Sequence, residues 1–130
     1  MKKLKIIIGV LFLVILLAVG AFMLRYNQMA KTLTEEYTKI EDIDLNKLAD
    51  GVYPGVFGDF LVSVDLEVTV KDHRITDINI KEQNCGPGYE ARDTVDRIIR
   101  DQSAKVDAVT GATGSSMCIM IAVHKALNTK

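Results

Sequence analysis

The stretch LVSVDLEVTVK, Leu61–Lys71, decides the fold. Val62, Val64, Leu66, Val68 and Val70 fall on one side of an extended chain, and Ser63, Asp65, Glu67, Thr69 and Lys71 on the other. Successive strand side chains point to opposite faces, so this alternation predicts a β-strand with one buried face. Asp72-His73 supplies a short turn, and Arg74–Lys81 predicts a second strand with Ile78 and Ile80 on one face, completing a β-hairpin. Upstream, VYPGVF (Val52–Phe57) predicts a shorter third strand, placed at a sheet edge because Pro54 cannot donate to a ladder.

Downstream the period changes. Asn84-Cys85-Gly86-Pro87-Gly88 is a loop, since two glycines and a proline do not persist in a regular element. Ala91, Val95, Ile98 and Ile99 then form the stripe of an amphipathic helix that ends near Gln102-Ser103. Val106–Val109 is brief and extended, and Thr110–Ser116 is a turn of small residues. Met117–Leu127 is apolar on most sides and predicts the core helix. The class is α+β: a small antiparallel sheet with two packed helices, preceded by one N-terminal transmembrane helix.

That transmembrane expectation rests on Ile6–Leu24, 19 residues without a charge. This is close to the roughly 20 residues that cross a bilayer core. Lys2, Lys3 and Lys5 precede it and Arg25 follows, a bias favouring a cytoplasmic N-terminus and an extracytosolic body. A cleaved signal peptide is the rival reading, because Ala18-Val19-Gly20 has a small-x-small pattern. The apolar run, however, exceeds the roughly 7–15 residues of a secretory core. No cysteine flanks the segment, which excludes a lipoprotein anchor. The expected organisation is a basic-flanked anchor over 1–25, a juxtamembrane linker over 26–49 (or a helix ending near Gly51), and a domain over 50–130.

At 130 residues the chain holds one domain, since domains usually take about 100–200 residues. After Arg25 there are 12 basic and 17 acidic residues, a net charge of −5. Such a body has no basic footprint for nucleic acid. Cys85 and Cys118 belong to no CxxC motif, so zinc-ribbon, thioredoxin-like and c-type haem readings fail. A disulfide between them is open in an oxidising compartment, but Cys118 lies in an apolar helical run and reads better as a packed small hydrophobe.

The chemistry concentrates in DAVTGATGSS, Asp107–Ser116, which leads straight into a helix. Exposed N–H groups and the helix dipole there favour an anion, phosphate above all. The segment is no phosphate-binding loop of the GxxxxGK[ST] type, because no lysine follows Gly114. Two readings of the spacing stay open: a phosphate site, or a bare helix cap by Ser115 or Ser116.

DAVTGAT followed by two serines and an apolar helix resembles the signature of the FMN-binding domain family. That family includes the covalently flavinylated extracytosolic subunits of the sodium-pumping NADH:quinone reductase and the ferredoxin-oxidising Rnf complex, and many small membrane-anchored flavoproteins. The resemblance extends in order over residues 50–130, through DGVYPG (Asp50–Gly55), the hairpin VTVKDHRITDINI and the approach RIIRDQSAKVDAVTGAT. His73 stands where a turn glycine is usual, Gly114 where relatives often carry a larger residue, and Cys85 in a loop where cysteine is unusual.

In the family, the last threonine of D-x-x-[ST]-G-A-T carries FMN as a phosphoester. The resemblance therefore implies covalent FMN on Thr113, with Asp107, Thr110, Gly111 and Ala112 as recognition or turn positions beside Ser115 and Ser116. It also implies a flavin transferase that installs the group from FAD with metal assistance. Thr113 has no His or Lys beside it in sequence, so a separate enzyme must activate its hydroxyl. Gly86 and Gly88 lie in a loop that resembles one near the flavin, and Tyr53 and Tyr89 are candidates to stack on the ring, with ordinary packing as the alternative.

Other titratable groups read as structural. His73 is a solvated turn residue, and His124 lacks partners at metal-ligand spacing. Asp93, Asp96 and Asp101 share a helix face with Arg92, Arg97 and Arg100, giving local ion pairs rather than a metal site. Met117 and Met120 are core fillers. The expected protein is an extracytosolic electron-transfer flavoprotein rather than a stand-alone catalyst. It would work with a membrane electron donor, an extracytosolic acceptor and membrane lipid. The alternatives are a noncovalent FMN-binding or sensing module, and a structural interaction domain whose GAT turn is only a cap.

Overall fold

The computed structural model describes residues 1–128. The apolar N-terminal segment forms the first part of one continuous helix, α1 (Lys2–Thr38). It is followed by a 3-10 turn at Leu45–Lys47, strands β1 (Gly51–Asp59), β2 (Val62–Lys71) and β3 (Arg74–Asn84), and helices α2 (Asp93–Asp101) and α3 (Thr113–Leu127). The strands form one antiparallel sheet in the order β1-β2-β3. The α+β expectation holds, and β3 runs three residues further than its apolar pattern indicated.

Val64, Leu66, Val68 and Val70 of β2 are buried at 2% exposure or less, with Ile75 and Ile78 of β3 beside them. α3 lies on this face and buries ten of its 15 residues. Its contact with β1 needs Gly55: a Cβ there would sit 2.2 Å from the Ala122 carbonyl oxygen and 2.8 Å from the Ala126 Cβ. Pro54 is exposed on the edge strand, as its missing N–H requires. α2 is tied to the outer edge of β3 by Gln102, whose side chain accepts from Ile75 N at 2.8 Å and donates to Ile75 O at 2.9 Å. α2 begins at Asp93 rather than Ala91, because Ala91 takes a left-handed conformation (φ 52°) and its carbonyl caps the first turn through Thr94 N.

The sheet has two unlike ends. One carries the β2–β3 turn, Asp72-His73, with both residues at positive φ as a tight hairpin turn of opposite hand requires. The other carries the β1–β2 turn, Phe60-Leu61, and the last residue of β3, Asn84, which pairs with Ser63. α1 meets this second end. The Phe22 ring lies 5.6 Å from the Phe60 ring, the Arg25 guanidinium is hydrogen-bonded to Asp59, and Leu61 N donates to the Met29 sulfur at 3.5 Å. The guanidinium holds the Asp59 carboxyl below the usual carboxylate range.

Residues 26–38 are therefore helical, and Met29 and Leu33 are buried against the domain. Further along, Glu36 pairs with Lys125 at 3.4 Å and Lys105 sits 4.7 Å over the Tyr37 ring. The helix stops at Thr38 rather than near Gly51, and Ile40 and Leu48, on either side of the 3-10 turn, continue the apolar packing.

His124 accepts a hydrogen bond from Glu41 N at 3.4 Å, and burial holds its imidazole below the usual pKa, with the Glu41 charge opposing. The neutral ring thus favours the fold fully above the unfolded value of about 6.5, and that contribution is lost as pH falls through the lower folded value. Two outcomes follow for chemical denaturation of the full chain in detergent micelles. Gly55→Ala lowers stability by about 1–3 kcal/mol, as overpacking against backbone does. His124→Gln flattens the loss of stability between neutral and mildly acidic pH.

Candidate functional site

α3 runs along the sheet from the Phe60 end. Cys118 Sγ donates to Phe57 O at 3.4 Å, whereas Ala122 and Ala126 lie on Gly55. The segment before α3 returns beside it in the opposite direction, with Val106 N donating to the Met120 sulfur at 3.4 Å and Val109 N to Ser116 Oγ at 3.0 Å. Thr113 lies five positions before Cys118, roughly 7 Å further towards the Phe60 end at 1.5 Å per residue.

Val109–Ala112 is a β-turn closed by Ala112 N donating to Val109 O at 3.0 Å, with Gly111 at φ 81° in its third position. That is a type II turn, in which the third residue needs a positive φ and glycine supplies it without strain. α3 begins immediately after, at Thr113 rather than Met117, with Ala112 as N-cap and no side-chain cap. The serines therefore do not cap the helix. Ser116 Oγ donates to Ala112 O at 2.8 Å while accepting from Val109 N, so one buried hydroxyl staples both ends of the turn. Ser115 is buried at 5% exposure in the same helical turn.

Among the described residues, the N–H groups of Thr113, Gly114 and Ser115 find no protein acceptor. The space a Cβ would take at Gly111 or Gly114 is open. Thr110, Gly111 and Thr113 are exposed. An open helix start with free amides, preceded by a hydrogen-bonded turn, suits an anionic group such as a phosphate.

Asp107 is exposed, and its carboxylate forms no ion pair among the described residues. Its backbone is held from α2: Arg97 Nη1 donates to the Asp107 carbonyl at 2.8 Å and the Ala108 carbonyl at 3.0 Å. Arg97 is thus a strut for the motif rather than a member of a solvated ion-pair face, a role invisible in its spacing. Arg100 does pair with Asp101, at 2.7 Å. No group of three His, Cys, Asp or Glu side chains is placed to hold a metal among the described residues.

The loop after β3 comes to the same end of the domain, since Asn84 pairs with Ser63 next to the Phe60-Leu61 turn. Tyr89 N donates to Gly86 O at 3.0 Å, the Tyr89 ring covers Gly86, and Gly88 adopts φ 83°. Tyr89 is 53% exposed and available to a planar ligand. Tyr53 is not brought to this end: it pairs with Val68, about 13 Å back along the strand from Phe57. Its hydroxyl donates to Ala49 O at 2.7 Å, so Tyr53 closes the far end of the core. His73 also lies at that far end, against Leu45 O at 3.3 Å.

Two polar atoms that the sequence did not single out lie buried without partners, Gln83 Oε1 and Thr94 Oγ1. They flank the Cys85–Glu90 loop, where Gln83 Nε2 already donates to Glu90 O at 2.7 Å. A polar residue at the end of a strand gives no sequence signal of this kind. Both cysteines are free. Burial pushes the Cys118 thiol up to about 12, and neighbouring Cys85 adds to the shift.

The sequence model of the FMN-binding domain family matches residues 62–128, from the start of β2 to the end of α3. Among curated proteins, none matches the chain.

Two outcomes follow. Ser116→Ala strands the partly buried Val109 N–H and lowers stability by about 1 kcal/mol, as denaturant titration will read. Iodoacetamide at pH 8 labels Cys85 and spares Cys118 in the folded chain, and labels both after denaturation.

Proposed function

Because the chain belongs to the FMN-binding domain family, we propose that it is a membrane-anchored extracytosolic flavoprotein. It carries FMN as a phosphoester on Thr113 and relays electrons between a membrane donor and an extracytosolic acceptor. The observation that carries this reading is the exposed Thr113 hydroxyl at the uncapped start of α3, after a turn held by Gly111 and Ser116.

The residues divide the work. The amides of Thr113, Gly114 and Ser115, without a protein partner among the described residues, would hold the negative charge of an attached phosphate, to which the helix dipole would add about 0.3–1 kcal/mol. Ser116 and Arg97 fix the turn before any ligand arrives. Among the described residues the Thr113 hydroxyl makes no hydrogen bond to a base, so its deprotonation belongs to a transferase, for which exposed Asp107 and Thr110 are the accessible recognition groups. In that step the Thr113 oxygen bonds to the FMN-side phosphorus of FAD, the anhydride bond breaks, AMP leaves and the hydroxyl proton passes to the transferase. Bound flavin supplies one- or two-electron transfer, and the protein supplies position. Tyr89 offers a ring at the same end of the domain.

α1 is long and apolar enough to cross a membrane, with mean hydropathy 3.1 over its most apolar window and none of that window buried. With Lys2, Lys3 and Lys5 held inside, the domain lies outside the cytoplasm, where a covalent bond prevents loss of the cofactor.

Co-expression of the full chain with a flavin transferase tests the attachment. The expected product is a fluorescent band that survives denaturing electrophoresis and a mass increase of one FMN less water, both absent in Thr113→Ala. A flavin released on denaturation marks noncovalent binding at the same helix start, and a flavin-free chain beside an active transferase returns the turn to a purely structural role.

A further inference from the structure

The two turns of the sheet differ in chemistry. The β2–β3 turn, Asp72-His73, is polar, as hairpin tips in water usually are. The β1–β2 turn, Phe60-Leu61, is apolar, and both side chains are 44% exposed. Phe60 adopts φ 48°, a left-handed conformation that hairpin turns usually give to glycine or asparagine and that strains a bulky aromatic. Neither solubility nor turn geometry accounts for a phenylalanine there.

Its neighbours do. The Phe60 ring packs on Phe22, which belongs to the uncharged run ending at Leu24, and the Arg25 guanidinium lies 5.2 Å above the same ring. The Tyr26 ring stacks on Phe22 at 6.5 Å and is itself 45% exposed. An aromatic pair, an arginine and a tyrosine where an apolar helix gives way to polar sequence are the residues that sit among lipid headgroups. The apolar hairpin tip is level with that transition and continuous with the exposed apolar surface of α1.

We propose that Phe60-Leu61 is a second membrane contact, inserted in the headgroup region of the outer leaflet beside Phe22–Tyr26. The proposal rests on α1 spanning the bilayer. Tip and helix together fix the tilt of the domain and turn its Thr113 end towards the lipid surface, so a flavin on Thr113 faces membrane-held redox partners. The body after Arg25 carries a net charge of −5, and Arg25 beside the tip is already paired with Asp59, so neither gives attraction to anionic headgroups. The contact is apolar, made equally to zwitterionic lipid, and insensitive to salt.

The chain contains no tryptophan, so single substitutions report one site each. Full-length Phe60→Trp, His73→Trp and Phe12→Trp are reconstituted in phosphatidylcholine nanodiscs. Their emission is compared with that in nanodiscs whose lipid is brominated either near the top of the acyl chains or near the chain ends. Phe60→Trp is expected to lose about twofold in emission to the shallow bromines and less to the deep ones, as a side chain seated at the headgroup boundary does. His73→Trp is expected to lose nothing. Quenching of Phe12→Trp by deep bromines establishes the span. If Phe12→Trp is quenched while Phe60→Trp matches His73→Trp, the hairpin contact is overturned and the anchor stands. If Phe12→Trp escapes quenching, the anchor and the proposal fall together.

Discussion

Everything at the functional end depends on how α3 lies against the sheet. Gly55 lets the helix backbone approach β1 so closely that no side chain fits between them, and Cys118 bonds to the Phe57 carbonyl two residues on. With ten of 15 residues buried, α3 has almost no freedom to slide or rotate, because close-packed interiors tolerate little change of register. Its first residue is therefore delivered to a fixed place, beside the end of the sheet that meets α1.

That fixed start is then left chemically open. Most helices satisfy their first N–H groups with a side-chain cap, and α3 has serines close enough in sequence to do so. The structure uses them otherwise: Ser116 faces backwards to staple the turn, and Ser115 is buried. Arg97 holds the incoming strand of the turn from α2. The result is a turn held at both ends, with an exposed threonine and, among the described residues, unpartnered amides, an arrangement that suits an anion. Rigidity would matter to the proposed role in electron transfer, since a protein's contribution there is to hold the cofactor in position.

Much of this was legible in the sequence. Strict alternation over Val62–Val70 fixes the buried face of β2 whatever its partners do, and Pro54 assigns β1 to an edge. The GAT turn was legible as a turn, because Gly111 occupies the position that needs a positive φ. Its boundary was misplaced by four residues, since Thr, Gly and Ser are weak helix formers and the packing of the turn overrides that preference. The grip of Arg97 on two carbonyls and the grip of Gln102 on Ile75 are contacts between elements, which periodicity does not encode. Tyr53, adjacent to glycine in sequence, is carried to the far end by the direction of β1, a fact of topology rather than composition. The burial of Met29 and Leu33 was hidden for the same reason, because two apolar residues in a polar helix reveal a partner only when the domain lies beside them.

The central claim is that Thr113, among several hydroxyls of one short segment, bears the cofactor. Trypsin cuts after Lys105 and Lys125 and releases Val106–Lys125 as one peptide containing Thr110, Thr113, Ser115 and Ser116. Fragmentation mass spectrometry of that peptide, from chain isolated out of membranes that contain a flavin transferase, locates the added group. The account predicts a single FMN phosphoester on Thr113, with Thr110 and both serines unmodified. FMN on Thr110, Ser115 or Ser116, or a peptide with no added mass, would contradict it.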